Sequence, residues 1–375
     1  MFRCFAVFIL VILILFSSAS AFEGGEAPTF DEIQAQQEAA LDLGQLYGAL
    51  PDGAGELLKD FSVTDSLDLD KSLSLITSAA SEQAGGIIRR ALRSAAMVFT
   101  VTVLVSIAGS VYDSGAVPDF IPLAGVMAVS AIALGDLRSF IGYGVDTLLK
   151  ISDFSKVLLP CLAAAAVSAG AVTSASAKYL ATVAFVEALL GAAVKLIMPL
   201  VYAYTAVTIA NAALGTDGLG GVSGILKWSC ITVIAGLMLA FTGYLSLTGV
   251  ISGSADAIAS RALKSAVSTV LPVVGSIVGD AASTLLAAAG VLRNAVGIFG
   301  MVAVSVISLS PFLTLGIHYL AYKGAAGLAA TLPDKRLGGI ISGIGSVFGI
   351  VLSLVGSGAV MLFISIISSI KAVTG

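Results

Sequence analysis

The sequence predicts an all-α fold, a polytopic membrane helix bundle with a cleaved signal peptide and a small polar outer segment. Composition and charge placement carry that expectation. Of the 375 residues, 58% are apolar and only 11% are charged, whereas a soluble domain is about 45–50% apolar and about 25% charged. The mean hydropathy is +1.04. So little charge cannot clothe a water-facing surface, and a soluble enzyme is excluded as the default reading. The charges are also unevenly spread: residues 23–82 hold 13 of the acids against only Lys59 and Lys71, and the rest of the mature chain is mildly basic. The pattern is an acidic head joined to a long apolar body.

Residues 1–21 have the form of a secretory signal peptide. Arg3 and the amino terminus give a positive start, residues 5–16 are an unbroken apolar run, and Ala19-Ser20-Ala21 supplies the small residues of a cleavage site. The alternative is an uncleaved first span. Residues 22–88 form the acidic extracytoplasmic segment. Its apolar residues, among them Leu57, Leu58, Phe61, Leu67 and Leu73, are too few for an independent core. The segment is therefore expected to pack on a partner or the membrane surface, or to be a loose acidic linker.

Residues 89–375 form the multi-span domain. A hydrocarbon core of about 30 Å needs about 20 apolar residues of helix. Charge-free windows run through 94–112, 120–135, 157–177, 196–216, 228–255, 294–322 and 337–370, and an eighth, 265–292, is interrupted only by Asp280. These windows predict roughly six to eight spans. The last is too long for one straight span and is expected to be tilted or to break near Gly356-Ser357-Gly358. Leu137, Ile141, Gly144, Leu148 and Ile151 recur at helical spacing among charges, as in a helix lying flat in the headgroup layer. Residues 265–292, with Pro272, Gly275 and Gly279, are a candidate re-entrant segment. The signal peptide places the head outside. Arg89, Arg90 and Arg93, next to it, then run against the usual cytoplasmic bias of basic residues.

Polar groups within apolar windows are the candidate functional residues, because a charge at the bilayer centre costs about 2.5–3.5 kcal/mol even on insertion scales. Glu187, Lys195 and Asp280 qualify. Glu187 and Lys195 lie about 80° apart around a helix and about 12 Å along it, so they are not expected to be direct partners. The small-residue pairs Gly339/Gly343 and Gly345/Gly349 favour close helix packing or self-assembly. Gly218-Leu219-Gly220-Gly221 resembles part of a phosphate-cradling loop but lacks the following Lys-Ser/Thr, and reads as a connector. His318, near Tyr319 and Tyr322, is either a proton-responsive group or a packed amphipathic side chain. A single histidine and the scattered Cys4, Cys161 and Cys230 provide no metal-ligand spacing, and no nucleophile, base and acid can be assembled. No catalytic site, metal or cofactor is expected, and the chain is not expected to be an enzyme.

One stretch is more specific. It comprises Leu271-Pro272-Val273-Val274-Gly275, Gly279-Asp280-Ala281, Leu292-Arg293-Asn294-Ala295-Val296-Gly297-Ile298, Pro311 and Tyr322-Lys323. Lesser echoes are Leu159-Pro160 and Ile197-Met198-Pro199-Leu200. On these residues, and on the order of signal peptide, acidic segment and multi-span body, the chain resembles the stage III sporulation protein AE family of endospore-forming bacteria. The motif residues are packing and backbone residues. The resemblance implies a subunit of the channel, or feeding tube, that joins mother cell and forespore. It also implies a permease-like appearance, a role similar to secretion-machine platform subunits, and support of late forespore gene expression.

The implied location is the mother-cell membrane around the forespore. The implied partners are other stage III sporulation membrane proteins, the lipid bilayer and a possible second copy, with no nucleic acid. Two other classes remain open: a self-sufficient secondary transporter, for which the sequence offers no internal repeat, and a membrane scaffold that conducts nothing.

Overall fold

The computed structural model describes residues 43–111, 120–168, 175–215, 217–270 and 275–371, with side chains placed for all of these except 168, 175–180, 217, 247–288 and 371. The signal peptide and Pro272 lie outside the described residues. Eight α-helices and no strand occur among those described: α1 (Leu43–Gly48), α2 (Asp52–Leu57), α3 (Leu69–Ser110), α4 (Phe120–Ser168), α5 (Ala175–Leu214), α6 (Gly220–Val270), α7 (Gly275–Ala329) and α8 (Lys335–Lys371). Six of them, α3 to α8, are long and apolar enough to cross a membrane.

Local chemistry sets the helix ends. Asp68 caps α3 by accepting from the backbone N–H groups of Asp70 and Lys71. At the other end of the bundle, α5 stops at Gly215, whose φ of 65° is the left-handed conformation that closes helices and that a side chain resists. Asp334 Oδ1 accepts from Arg336 N at 2.9 Å and starts α8. Pro160, Pro199 and Pro311 lie inside α4, α5 and α7 without ending them, as neighbouring helices permit in a membrane bundle.

Two expectations are corrected and one open alternative is resolved. Windows 120–135 and 157–177 fall largely on the single helix α4, and its Leu137, Ile141, Leu148 and Ile151 are buried against the bundle. This stretch is therefore a packed section of a long helix, not one lying flat in the headgroup layer. Within the candidate re-entrant stretch, residues 265–270 end α6 and residues 275–292 begin α7. Of the two forms expected for the last window, the structure has the single helix, unbroken through Gly356-Ser357-Gly358. Finally, the described part of the head, from Leu43 onward, packs on its own chain. Leu46, Leu58, Phe61 and Val63 join the main core, Tyr47 meets Phe299 of α7 edge-on with ring centres 5.1 Å apart, Phe61 stacks on the same ring at 6.5 Å, and Ser66 Oγ donates to Ala295 O at 2.9 Å. Helix α3 runs on without interruption through residue 88.

Helix α8 is the centre of the bundle and packs against α7, α4, α5 and α6. Small residues let it do so: a Cβ at Gly144 of α4 would collide with Val351, and one at Gly343 of α8 would collide with Thr208 of α5. The helices exceed one bilayer in length, since 49 residues of α4 extend about 73 Å at about 1.5 Å each.

The surface shows which part is apolar. Large exposed apolar side chains cluster at 92–111 of α3, 120–134 of α4, 196–214 of α5 and 222–239 of α6, with Leu320 and Leu328 on α7. That belt is about 30 Å tall, the thickness of a hydrocarbon core. Beyond it α4 exposes Arg138, Asp146, Asp153 and Lys156, with Leu149 the apolar exception, and α5 exposes Glu187 and Lys195.

Candidate functional site: a polar seam and a cationic cavity

Consecutive residues of a helix point about 100° apart, and Tyr322-Lys323 on α7 uses that angle to join two sides of the bundle. Tyr322 is fully buried. Its hydroxyl donates to Asp136 Oδ2 of α4 at 3.0 Å and lies 2.8 Å from Ser94 Oγ of α3, while Ser94 also donates to Asp136. The three side chains form a closed set in which the carboxylate accepts two hydrogen bonds, the arrangement that makes a half-buried charge tolerable. The ring of Tyr322 meets Phe348 edge-on at 5.1 Å, and Phe348 in turn borders His318. His318 is buried, its ring 4.3 Å from that of Phe140. Its Nδ1 lies 2.7 Å from Thr314 O, and since a carbonyl only accepts, that nitrogen carries the proton. Its place is that of a packed side chain.

Lys323 faces the other way. Its ammonium donates to Ser342 O at 2.7 Å, Ser342 Oγ at 2.9 Å and Ser346 Oγ at 2.9 Å, all on α8. Lys227 of α6 donates to the same Ser346 Oγ at 3.3 Å. Two ammonium groups sharing one oxygen are no more than about 6 Å apart and repel by roughly 3 kcal/mol at an effective dielectric of 20. Among the described residues neither forms an ion pair.

Ser346, Ser342 and Lys227 line a cavity of about 610 Å³ at the end of the bundle where α5 stops and α6 and α8 begin. Lys335, Arg336 and Asp334 stand in the same wall. Arg336 lays its guanidinium over Gly215, where any Cβ would strike it. Glycine suits that position for its φ, and a side chain there would make the guanidinium move aside. Tyr204, Thr208, Asn211 and Ser223 complete a lining rich in hydroxyl and amide groups.

The sequence-predicted residues are dispersed. Glu187 pairs with Lys156 of α4 at 3.2 Å on an exposed face, and Lys195 is exposed one α5 segment further on. Asp280 lies on α7, its side chain outside the described set. Gly275 is the first residue of α7. Arg293 is buried, donating to Ile370 O at 2.7 Å near the C-terminal end of α8, where a cation suits the exposed carbonyl ends. One turn on, a Cβ at Gly297 would collide with the side chain of Ile370, so Arg293 and Gly297 hold one α7–α8 contact together. Asn294 Oδ1 is buried with no hydrogen-bond partner among the described residues. Pro311 is buried within α7, beside Ser310, which accepts from Tyr143 OH at 2.8 Å.

Tyr322 and Lys323 are therefore the motif residues that meet partners in the seam. Ser94, Asp136, Lys227, Arg336, Ser342 and Ser346 were not singled out from the sequence. Measuring distance between charges treats Asp136 and Lys227 as ends of windows and so conceals them. The spacing of Ser342 and Ser346, four apart on one helical face, was the available signal. The connector reading of Gly218-Leu219-Gly220-Gly221 corresponds to a 3₁₀ turn, Asp217–Leu219, leading into α6.

Comparison with known proteins places this architecture. The family model for stage III sporulation protein AE matches residues 55–373. The stage III sporulation protein AE of Bacillus subtilis (strain 168) is 25% identical over 207 residues, 55% of this chain and 52% of the relative, so the chain spans about half the length of that relative. No solved structure matches. With a family match over most of its length, and with Arg293, Gly297, Tyr322 and Lys323 at packing and seam positions, the chain belongs to the stage III sporulation protein AE family.

Proposed function

We propose that the chain is a membrane subunit of the channel complex joining mother cell and forespore, and that it is needed for late forespore gene expression. The observation that supports this reading most is membership of a sporulation family in a chain built as a six-helix apolar bundle. On this reading the bundle sits in the mother-cell membrane around the forespore with its head in the space between the two membranes, and its partners are other stage III sporulation membrane proteins or further copies of itself. The belt at 92–111, 120–134, 196–214 and 222–239 meets lipid, and the polar halves of α4 and α5 beyond it meet protein or water.

A compartment-specific rescue tests this. A strain lacking the gene should lose a late forespore reporter. A copy expressed only in the mother cell should restore it, and a copy expressed only in the forespore should not. Full reporter activity in the deletion strain, or rescue from the forespore alone, would overturn the proposal.

A further inference from the structure

The cavity between α5, α6 and α8 has the charge and the donors of a receptor for an anion. Four cations converge on it: Lys335 and Arg336 in the wall at the start of α8, Lys227 deeper on α6, and Lys323 directly behind Ser342 and Ser346. Asp334 is the single carboxylate among the described lining residues, and one of its oxygens already accepts from Arg336 N. Lys323 spends its donors on Ser342 and Ser346, whereas Lys227 makes one hydrogen bond, to Ser346. An ammonium carries three N–H donors, so Lys227 has donors to offer into the space it lines. A bound anion would relieve the mutual repulsion of Lys227 and Lys323, neither of which forms an ion pair among the described residues. The N-terminal ends of α6 and α8, at Gly220 and Lys335, border the same space and add positive potential. Its walls are also left open: a Cβ at Gly220 or Gly339 would have no neighbour within 4 Å.

We propose that this cavity binds a phosphate-type oxyanion, with Lys227, Lys335 and Arg336 as its cationic contacts. Two sources present that chemistry. The cavity lies at one edge of the apolar belt, its lining residues Gly215 and Ser223 being chain neighbours of the exposed Leu214 and Val222, a level at which the phosphate of an anionic phospholipid would sit. Inorganic phosphate from the aqueous side carries the same group. The proposal does not depend on the channel reading.

The test uses the full-length protein in nanodiscs. In phosphatidylcholine discs, inorganic phosphate binding is measured by equilibrium dialysis. In discs of mixed phosphatidylcholine and phosphatidylglycerol, retained lipid is measured by native mass spectrometry. A free-anion site retains phosphate in the first arm, and a lipid site retains phosphatidylglycerol over phosphatidylcholine in the second. In whichever arm binds, Lys227→Gln and Lys335→Gln should each weaken retention at least tenfold, and Lys227→Arg should preserve it. Gly339→Leu, which keeps every charge and fills open space on an exposed helical position, should also weaken retention and guards against a folding defect in the lysine variants. Absence of retention in both arms overturns the proposal, and so does retention unchanged by Lys335→Gln and Gly339→Leu.

Discussion

Tyr322 and Asp136, 186 residues apart in sequence, meet through a hydrogen bond of 3.0 Å that ties α7 to α4. Ser94 closes the set from α3. The bond to an ionised partner has a net worth of about 1.5–3 kcal/mol. Tyr322→Phe should therefore lower the midpoint of thermal unfolding in nanodiscs. Combined with Asp136→Asn, the double variant should be less destabilised than the sum of the singles, by at least about 0.5 kcal/mol. Strict additivity would show that the two side chains do not act together.

Gly215 should be intolerant of substitution for two separable reasons. A side chain in the left-handed region costs about 1–2 kcal/mol, and any Cβ there strikes the guanidinium of Arg336. Gly215→Ala should destabilise by at least that amount. Gly215→Asn should be milder in backbone terms, because Asn visits this region more readily. In an Arg336→Ala background the steric part of the Gly215→Ala penalty should disappear and the backbone part should remain. Equal penalties in both backgrounds would contradict the seat described for Arg336.

The head should loosen from the bundle in acid. Lys71 Nζ, 2.7 Å from Asp65, and the hydroxyl and N–H of Ser62 hold the Asp65 carboxyl well below the usual carboxylate range, at about 2. Ser62 Oγ in return accepts from Asp65 N, a reciprocal box that fixes the turn carrying Ser66 to Ala295. A carboxylate whose pKa is depressed on folding contributes fully above its ordinary range and loses that contribution as pH falls through the usual carboxylate value toward about 2. The protection factors of amides 43–68, with the intrinsic pH dependence of exchange divided out, should fall across that window. In Asp65→Asn, exchange should be faster at neutral pH and respond less to acid. An unchanged acid response would remove Asp65 as its cause.

The head and the cavity should open on opposite sides of the membrane. Ser66 meets Ala295 early in α7, whereas Lys335 follows the end of that helix. In a background with the native cysteines replaced, and in spheroplasts of vegetative cells expressing the chain in the cell membrane, Asp60→Cys should react with an impermeant maleimide, and Lys335→Cys should react only after lysis. Labelling in the reverse order would contradict an outward-facing head.

Much of this was legible in the residues. Composition revealed a helical membrane protein, and the stretch from Leu271 to Lys323 pointed to a family; its last two residues, Tyr322 and Lys323, turned out to bridge two sides of the bundle. Span count was legible as a range of six to eight, within which the six long apolar helices fall, but not more finely, because hydropathy marks apolar segments while helices also run through charge: α4 carries Asp136, Arg138, Asp146 and Lys150 between two apolar stretches and never breaks. Those charges are tolerated on exposed faces and through pairs such as Lys150–Asp146 at 2.7 Å. The packing of the head was hidden for a different reason. Leu46, Leu58 and Phe61 are too few to suggest a core alone, and their partner Phe299 lies more than two hundred residues away. Lys227 and Ser346 share their hydrogen bond across 119 residues, a relation that no spacing rule between neighbours can reveal.

The central claim, that this chain works as one membrane subunit among others, is tested most directly by affinity recovery of the tagged, full-length protein from sporulating cells in mild detergent. The expected result is co-recovery of other stage III sporulation membrane proteins in fixed proportion, absent from an untagged strain and from vegetative cells expressing the same chain. Recovery of the tagged chain alone, at full yield and as a single species after crosslinking in intact cells, would contradict it.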